Sequence, residues 1–488
     1  MKNKTKKLKI GLIIKLIIAI ITLVLSIYCI KVINDLDMLP TKLFTLIIIG
    51  YSILNILNML FLIPKKIVLN IIGIVLSIIM IIASVLGIIH GNKIANFMNS
   101  AFNNDGMEIT AYNIAVLKSS DYNDIKDLDG KILAYTIMDE NEEDYINTIN
   151  SKLTAELKAY DVPTQLYEEI LNKKVDAIVV TEGLMQVLEE EYEDVNDKIK
   201  IIYNFEIEKK VEPEPVEEDT SLKSINLLIS GSDSRSDKIV EKSRSDVNMI
   251  VTINPKTHKV LLTSIPRDYY VQVHGKKGNK DKLAHSGIWG TKVTRQTIED
   301  LFEIKIDYTI KVGFQSVIKI VDLIGGVDID SDAAFEAYCA GCRPNNGDIL
   351  KVKKGKNHFN GAEALRYARE RHAYRNGDHH RIQNQQQVLE AVINKISNNK
   401  SLLLKYDEML DALKGTYKTD VPLDLIKLVA KDQIESMPSW KIEKQQVTGG
   451  GYMRETLTAP GKLRSVVIPN MDSVKKATKK INKVKDEE

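Results

Sequence analysis

Arginine and histidine are concentrated in one polar stretch, residues 360–387, which contains no lysine and few carboxylates. A guanidinium presents a rigid planar fork that matches phosphate oxygens, so an arginine cluster with fewer carboxylates indicates a phosphate ligand. A solvated basic surface is the alternative interpretation, because most charge runs are of that kind. The basic residues of the stretch are Arg366, Arg369, Arg371, Arg375, Arg381, His372, His379 and His380.

The spacing within this stretch predicts a short helix followed by an extended segment. Asn360 is expected to cap a helix that runs to Leu365. If the chain then extends, Arg369 and Arg371 point to the same side, because side chains of a strand alternate with period two. These two arginines would then face one ligand.

A second helix is predicted to begin at Asp378, whose side chain can cap it. Arg381 and Gln385 are four residues apart on this helix and share one face. We therefore expect three guanidiniums and one amide to converge on a phosphate. Arg366 and Arg375 are expected to be surface charges, and the three histidines are expected to be exposed.

Four further charged residues lie at the ends of predicted strands. Asp233 follows one strand. Arg244 and Asp246 precede the next strand, and Arg267 follows the third. Ligands of open α/β sheets bind at strand ends, so we expect these side chains to face one crevice. Aspartates suit Mg²⁺, which takes one or two carboxylates together with substrate phosphates; a turn or cap role for each aspartate is the alternative.

The elements that position these residues are those of an α/β domain over residues 224–488. Apolar runs bounded by turn residues predict strands, and apolar residues at helical spacing predict helices. His285 is expected on a loop over the site. The expected strands are residues 225–229, 247–253, 260–265, 327–329 and 464–469. The expected helices are residues 297–304, 315–323 and 378–396 and a helical tail over residues 402–429.

Three apolar segments near the N-terminus are each close to the roughly 20 residues that a helix needs to cross a bilayer. They lead us to expect a membrane anchor over residues 1–95, with spans at about residues 10–33, 43–63 and 67–89. Lysine is concentrated before the first span and in the turn before the third. This bias predicts a cytoplasmic N-terminus, an extracellular loop between the first two spans, and an extracellular location for everything after His90.

Residues 106–210 are predicted to form a small extracellular α/β accessory domain, because predicted strands and helices alternate there. The order of these elements resembles one lobe of an extracellular solute-binding protein. No ligand-binding residue stands out, so a spacer or protein-interaction module is the expectation. Residues 211–223 combine proline with many carboxylates and are expected to form an extended linker.

Charge and cysteine content exclude some functions. The chain of 488 residues has a formal net charge of +2, which implies no bulk attraction to nucleic acid, and basic residues outside the membrane cannot reach DNA. Cys29 lies in an apolar segment, while Cys339 and Cys342 form a CAGC pair. That pair is compatible with a redox motif, half of a zinc site or a local disulfide, and the extracellular location favours the disulfide.

Several separated motifs from residue 224 onward resemble those of the LytR–CpsA–Psr family and occur in the same order. They read GSDSR, SRSDVNMIVTINP, SIPRD, NGAEALRYARERH and DHHRIQNQQ. The three apolar spans and the accessory domain resemble the capsule-biosynthesis branch of that family. The expected fold is therefore α/β, with three transmembrane helices, the small accessory domain, and a larger catalytic domain built on a mixed sheet with flanking helices.

The resemblance implies a membrane-anchored phosphotransferase outside a Gram-positive cell. Such an enzyme transfers a glycopolymer, such as a capsular polysaccharide or a teichoic acid, from an undecaprenyl-pyrophosphate carrier to peptidoglycan, where a muramic acid hydroxyl accepts it. The implied partners are the lipid-linked glycan, peptidoglycan, the lipid bilayer and membrane proteins of capsule assembly, with no nucleic acid.

The resemblance also implies roles for individual residues. Asp233 and Asp246 match positions associated with Mg²⁺, for which Mn²⁺ is an alternative, and Arg244, Arg267 and Asp246 are expected to be catalytic. The family motif often reads R-x-x-R-Q-Q, and Asn384 replaces its second arginine here, which calls that one contact into question. The residues expected to hold the pyrophosphate are Arg244, Arg267, Arg369, Arg371, Arg381 and Gln385.

Two other functions use the same residues and stay open. A polyprenyl-pyrophosphate pyrophosphatase would hydrolyse the carrier without transfer. A regulator or scaffold of capsule assembly would bind the polyprenyl phosphate without turnover. All three functions need an apolar groove for the lipid, and packing into the core is the alternative for each of its candidates. These candidates are Phe314, Val317, Ile318, Val321, Leu323 and Ile324.

Overall fold

A computed structural model describes residues 2–64, 66–102, 107–137, 142–210, 222–232, 239–278, 280–338, 349–374, 377–399 and 415–487. Several predictions concern residues outside these ranges. They are the metal role of Asp233, the surface position of Arg375, the disulfide between Cys339 and Cys342, most of the acidic linker, and the first part of the helical tail.

Three long helices form the N-terminal part of the chain, as the apolar segments predict. Most of their large apolar side chains are exposed, which is typical of helices that face lipid and indicates membrane anchoring. The stretches long and apolar enough to cross a membrane are Leu12–Leu36, Thr41–Leu62 and Ile67–Asn96. The helices themselves are Lys2–Leu36 (α1), Thr41–Leu62 (α2) and Ile67–Phe102 (α3).

Small residues let these helices pack closely. A Cβ atom added at Gly87 of α3 would lie 2.7 Å from the sulfur of Cys29 in α1. Between α2 and α3, the Ser77 hydroxyl donates a hydrogen bond of 3.0 Å to Asn58 Oδ1. Close backbone approach and interhelical hydrogen bonds are the usual sources of stability for helix pairs in lipid, so the three helices form one bundle.

The accessory region contains a five-stranded mixed sheet in the order β3-β2-β4-β1-β5. Strands β2, β3 and β4 are parallel, and β1 is antiparallel to both of its neighbours. The strands are Met107–Leu117 (β1), Ile132–Thr136 (β2), Glu156–Tyr160 (β3), Ala177–Thr181 (β4) and Ile199–Lys210 (β5). The helices are Glu142–Asn150 (α4), Pro163–Leu171 (α5), Glu182–Glu191 (α6) and Val195–Lys198 (α7), with a 3-10 turn at Ile125–Leu128.

The remainder of the chain is a larger α/β region. Its strands are Ile225–Ser232 (β6), Val247–Asn254 (β7), Lys259–Ile265 (β8), Tyr270–Val271 (β9), Asp281–Lys282 (β10), Tyr308–Gly313 (β11), Val327–Ser331 (β12), Phe335–Tyr338 (β13), Ile349–Val352 (β14), Gly355–Phe359 (β15), Tyr417–Thr419 (β16), Lys441–Gln446 (β17), Gly449–Glu455 (β18) and Leu463–Pro469 (β19). Its helices are Leu283–Ser286 (α8), Thr291–Phe302 (α9), Phe314–Leu323 (α10), Gly361–Arg369 (α11), Gly377–Asn398 (α12), Leu423–Ser436 (α13) and Met471–Lys485 (α14), with a 3-10 turn at Gly287–Trp289.

The central sheet of this region has six strands in the order β16-β11-β6-β7-β8-β17. It is mixed, as expected from the family resemblance. Strand β7 is antiparallel to β6 and β8, while β11 is parallel to β6 and β17 is parallel to β8. The start of β7 therefore lies between the C-terminal ends of β6 and β8, at one end of the strands of the sheet.

Two predicted elements differ from the structure. The first helix of the basic stretch does not stop at Leu365 but continues to Arg369. The Asn360 side chain caps it together with Glu363, and a buried face that includes Tyr367 continues the helical period. The helical tail is also wrong in part, because Tyr417–Thr419 is a strand that pairs with β11.

The accessory sheet and the larger region share one buried apolar cluster. Leu184 and Leu188 of α6 pack in it with Ile288 and Trp289, which follow α8. Because each side buries apolar surface against the other, separating the two would expose this cluster to water at a cost of roughly 25 cal/mol per Å². The accessory region is therefore packed firmly against the larger one.

The C-terminal region also contacts the membrane anchor. Lys431 of α13 lies 2.6 Å from Asp37, in the loop between α1 and α2, and Lys42 at the start of α2 lies 3.1 Å from Glu435. Exposed pairs of this kind contribute little stability individually. They nevertheless place α13 against the end of the helical bundle that carries the first loop.

Candidate active site

The predicted strand-end residues meet at one end of the strands of the central sheet. Arg244 and Asp246 come directly before β7, and Arg267 comes two residues after β8. Antiparallel pairing brings these points together, because the start of β7 is flanked by the end of β8. The Asp246 amide donates a hydrogen bond of 2.8 Å to the carbonyl oxygen of Gly231, which connects the residue to the end of β6.

Asp246 bridges the two arginines. Its Oδ2 atom lies 3.2 Å from Arg244 Nη2, and its Oδ1 atom lies 2.7 Å from Arg267 Nη1. All three side chains are largely buried. Burial would raise the pKa of Asp246, but the charges of Arg244 and Arg267 hold that pKa below its ordinary value. The centre of the site is thus an ionised carboxylate between two guanidiniums.

One buried donor of this cluster lacks a partner among the described residues. The Nε–H group of Arg267 is inaccessible to solvent and hydrogen bonds to none of them. The Asp268 carboxylate lies 3.7 Å from this nitrogen, which is an ion-pair distance and not a hydrogen bond. A buried donor without an acceptor is costly, so this Nε–H group can accommodate an acceptor oxygen.

A carboxylate that the sequence reasoning missed completes the cluster. Glu190 of α6 places its Oε2 atom 2.6 Å from Arg244 Nη1 and also pairs with Lys282. Burial would raise the pKa of Glu190, but His285, Lys282 and Arg244 hold that pKa well below its ordinary value. Glu190 lies within an acidic run, EEEYED, whose only visible signal is the end of a helix.

His285 is not on a loop over the site, which corrects the prediction. It belongs to α8 and is fully buried, with Nδ1 2.7 Å from Asp281 Oδ1 and 3.0 Å from Thr458 Oγ1. Its Nε2 atom lies 3.6 Å from Glu190. Burial would lower the pKa of His285, but Asp281 and Glu190 raise it to about 9. The imidazole is therefore a buried cation at neutral pH, held behind the arginines.

This buried cation predicts a specific dependence of stability on pH. A folded-state pKa of about 9 exceeds the unfolded value of about 6.5, so the stabilisation is complete below pH 6.5 and is lost as pH rises through 9. We expect the free energy of unfolding to fall by roughly 3 kcal/mol more over this interval than in a His285→Gln variant. The measurement is denaturant unfolding of the full chain in detergent, followed by the fluorescence of Trp289 and Trp440.

An exposed histidine provides the control for that experiment. His274 is paired with Asp300 at 2.7 Å near the surface, so His274→Gln should keep the wild-type pH dependence. Parallel pH profiles for wild type and His285→Gln would contradict the charge assignment.

The helix of the basic stretch lies over the same end of the strands. In α12, the side-chain amide of Gln386 donates to Ser264 Oγ on β8 at 3.0 Å, and one turn later Glu390 lies 2.5 Å from Lys444 on β17. The helix therefore runs antiparallel to these strands, and its N-terminal turns lie toward the end of β8 that leads to Arg267. Arg381 and Gln385 occupy those turns, as the spacing predicts.

The geometry of Arg369 and Arg371 differs from the prediction. Because α11 reaches Arg369, the two arginines are not on an extended segment and do not alternate as strand residues do. Arg369 stacks on the ring of Phe314 with 4.2 Å between the guanidinium carbon and the ring centroid. Arg371 is exposed, with its Nε atom 3.3 Å from His372 Nε2.

Asn384, which replaces an arginine of the family motif, connects the two helices of the basic stretch. Its side chain is buried, and its amide donates a hydrogen bond of 2.9 Å to the carbonyl oxygen of Tyr367. The residue thereby ties α12 to α11. Its contribution is to hold the two helices of the basic stretch together.

The candidate residues for a lipid groove divide into two groups. Val321 and Ile324 are buried in an apolar cluster with Tyr367 and Val388, so these two belong to the core. Phe314, Ile318 and Leu323 are half-buried, and Val317 packs against the cluster. Only this half-buried side of α10 remains available to a lipid chain.

A metal site formed by protein groups alone does not occur in the described ranges, where no three histidine, cysteine or acidic side chains are suitably grouped. Asp246 fits the other known arrangement, in which one or two carboxylates share Mg²⁺ with substrate phosphates. Each of its oxygens has one arginine partner, and an ionised carboxylate has about four acceptor positions.

Two family models match the chain. The LytR_cpsA_psr family model matches residues 188–482, and the model described as NMT1/THI5 like matches residues 105–204. The first covers more than half of the chain. The second coincides with the accessory sheet.

Curated relatives carry the name polyisoprenyl-teichoic acid–peptidoglycan teichoic acid transferase TagU. The protein from Bacillus licheniformis is 36% identical over 200 residues, which are 41% of this chain and 60% of the relative. The protein from Bacillus mycoides is 33% identical over 229 residues, which are 47% of this chain and 70% of the relative. The chain thus spans about 60% of the length of the first of these relatives.

Solved structures also match slightly more than half of the chain. TagV of Bacillus subtilis has a TM-score of 0.44 and 26% identity, covering 55% of this chain and 98% of that protein. A structure described as TagT bound to LI-WTA has a TM-score of 0.42 and 25% identity, covering 56% of this chain and 94% of the other.

Proposed function

Because the chain belongs to the LytR–CpsA–Psr family, we propose that it is a phosphotransferase that moves a glycopolymer from an undecaprenyl-pyrophosphate carrier to peptidoglycan. The observation that carries the proposal is the buried pair Arg244 and Arg267 bridged by Asp246, with an Nε–H group on Arg267 that has no hydrogen-bond partner among the described residues. The name shared by the curated relatives supports this class of donor and acceptor. The polymer is a capsular polysaccharide or a teichoic-acid-like chain.

The arginines suit the chemistry of a diphosphate linkage. The acceptor hydroxyl oxygen forms a bond to the phosphorus that carries the glycan, and the bond from that phosphorus to the bridging oxygen breaks. Polyprenyl phosphate leaves, and the proton of the acceptor hydroxyl is released to solvent. Negative charge grows on the leaving phosphate, and fixed guanidiniums stabilise it without reorganising. Burial would lower the pKa of Arg267, but Asp246 and Asp268 raise it above its ordinary value, so Arg267 stays charged.

Asp246 would hold Mg²⁺, or alternatively Mn²⁺, together with Asp233, which lies outside the described residues. The ion supplies a Lewis acid that neutralises phosphate charge. Asp246 orients both guanidiniums whether or not the cation is bound, since each of its oxygens pairs with one of them. This double role explains why a carboxylate stands at the centre of an anion-binding site.

The basic stretch would bind the second phosphate. Arg369, Arg371, Arg381 and Gln385 are the proposed ligands, and the direction of α12 supports the assignment because its N-terminal turns lie toward Arg267. The stacking of Arg369 on Phe314 limits the motion of that guanidinium. The half-buried side of α10, which includes the Phe314 ring in contact with Arg369, is the proposed apolar surface for the polyprenyl chain.

The lysine bias of the sequence supports an extracellular site and a multi-pass anchor with a cytoplasmic N-terminus. The ion pairs of α13 with Asp37 and Lys42 support one part of this topology. These contacts are consistent with a C-terminal region on the same side of the membrane as the loop between the first two spans, as three crossings would require.

The test is transfer by the purified full chain in detergent with Mg²⁺, a lipid-pyrophosphate-linked glycan and a peptidoglycan oligomer. We expect glycan on the oligomer and equimolar polyprenyl phosphate, with activity falling about 10²-fold or more when the metal is chelated. Restoration by Mg²⁺ or Mn²⁺ is the control. Release of lipid phosphate without transfer would identify a pyrophosphatase, and binding without turnover would identify a scaffold.

A further inference from the structure

The accessory region contributes a carboxylate to the candidate active site. Glu190, in the last turn of α6, lies 2.6 Å from Arg244 Nη1, forms an ion pair with Lys282, and lies 3.6 Å from His285 Nε2. Glu190 thus brings a carboxylate of the accessory region next to three basic side chains of the larger region. The sequence separates it from Arg244 by more than 50 residues.

The rest of α6 holds Glu190 in this position. Gln186, one turn earlier, accepts a hydrogen bond of 3.0 Å from the Arg244 amide through its side-chain oxygen. Gly183 approaches the opposite backbone so closely that an added Cβ atom would lie 2.8 Å from the Lys242 carbonyl oxygen. Leu184 and Leu188 are buried with Ile288 and Trp289 in the shared cluster.

This packing distinguishes between two roles for Glu190. A carboxylate that blocks the site until substrate displaces it must be able to swing away. The helix of Glu190 is fixed by its buried apolar face, and swinging the carboxylate away would leave the largely buried Arg244 and Lys282 without this counter-charge. A side chain that stays in place during turnover is better suited to holding other groups in position.

Arg244 is held from two sides. Its Nη2 atom pairs with Asp246, and its Nη1 atom pairs with Glu190. Two carboxylates on the two terminal nitrogens fix the plane of the guanidinium, and the same Glu190 also fixes the ammonium group of Lys282. Electrostatic stabilisation of a transition state depends on donors that are already oriented before charge develops.

We propose that Glu190 is a positioning residue of the phosphotransfer site, through which the accessory region orients Arg244 and Lys282. The accessory region is then part of the catalytic unit and not only a spacer. This inference rests on the proposed function, since Arg244 must contact the pyrophosphate for its orientation to affect turnover.

The experiment compares Glu190→Gln with Glu189→Gln in the full chain. Glu189 is the exposed neighbour on the same helix, and its carboxylate accepts a hydrogen bond from Asn196 at the surface. The Glu189→Gln variant therefore controls for the loss of one negative charge. We expect Glu190→Gln to lower kcat about 10-fold or more while the KM for the lipid-linked donor changes less than about threefold. Glu189→Gln should match wild type.

A double-mutant cycle tests whether Glu190 acts through Arg244. Once Arg244→Lys has removed the guanidinium, the additional change Glu190→Gln should have little further effect, so the two losses are expected to be strongly non-additive. Glu190→Asp keeps the charge on a shorter side chain and should recover part of kcat. It also carries the comparison if Glu190→Gln does not fold, as judged by tryptophan fluorescence.

Three results would overturn the inference. A kcat for Glu190→Gln within twofold of Glu189→Gln would leave Glu190 a purely structural residue, and a raised kcat/KM would make it an inhibitory one. Additive losses with Arg244→Lys would show that it acts elsewhere. If the wild-type protein shows no turnover, the proposed function fails independently of this inference. The same double-mutant cycle is then measured on the Kd of geranylgeranyl pyrophosphate by calorimetry. Additive effects on that Kd would again refute the inference.

Discussion

Replacing Asp246 by Asn is expected to reduce kcat/KM by about 10³-fold and to lower the free energy of unfolding by roughly 3 kcal/mol. The amide keeps the shape of the carboxylate but not its charge. Arg244 and Arg267, at 3.2 and 2.7 Å, would then be buried cations without a central counter-charge. The proposed metal would also lose a ligand, so both activity and stability should suffer.

An exposed aspartate supplies the matched control. Asp300 is 60% exposed and pairs with His274 at the surface, so Asp300→Asn should change neither quantity measurably. The measurements are transfer kinetics and denaturant unfolding of the full chain. If Asp246→Asn kept activity within tenfold of wild type, neither the metal nor the two arginines would depend on this carboxylate.

Replacing Arg267 by Lys should reduce kcat/KM by about 10²- to 10³-fold with a much smaller effect on stability. An ammonium group can retain a single ion pair to Asp246, so the buried charges stay balanced. It cannot present a second donor in the plane of the first, and the Nε–H group that lacks a partner among the described residues disappears. The loss should therefore fall on the transition state.

The comparison with Asp246→Asn separates charge balance from ligand binding. Arg454 is exposed on β18, where its Nη1 atom donates a hydrogen bond to the carbonyl oxygen of the adjacent Met453. Arg454→Lys is therefore the control. Transfer kinetics at several donor concentrations provide the test. Wild-type kcat/KM in Arg267→Lys would show that one positive charge is sufficient and that the planar fork has no role.

The strand-end half of the site was predictable because its residues adjoin the strands that carry them. Arg244 and Asp246 lie immediately before an apolar run, and Arg267 follows another, so chain order and strand pairing fix their neighbourhood. Glu190 was not predictable by this reasoning. Its partners are determined by how two separate sheets pack, and neither composition nor spacing within the acidic run reports that packing.

The basic stretch shows where local reasoning fails over a few residues. The cap at Asn360 was correctly identified, but the end of α11 depends on tertiary burial of Tyr367 and Ala368, which favours another turn of helix. Strand β5 was overlooked, although apolar and polar residues alternate over much of Ile199–Lys210. Several charged residues at its end make that alternation weak.

Helix α3 has a consequence for where the reaction takes place. At 1.5 Å per residue its 36 residues measure about 54 Å, whereas the hydrocarbon core of a bilayer is about 30 Å thick. About 24 Å of continuous helix is thus left as a rigid strut, and the ion pairs of α13 with the first loop restrain the opposite flank. Under the proposed function, a helix of this length would hold the site at a fixed height above the bilayer, and transfer to peptidoglycan would take place at that height.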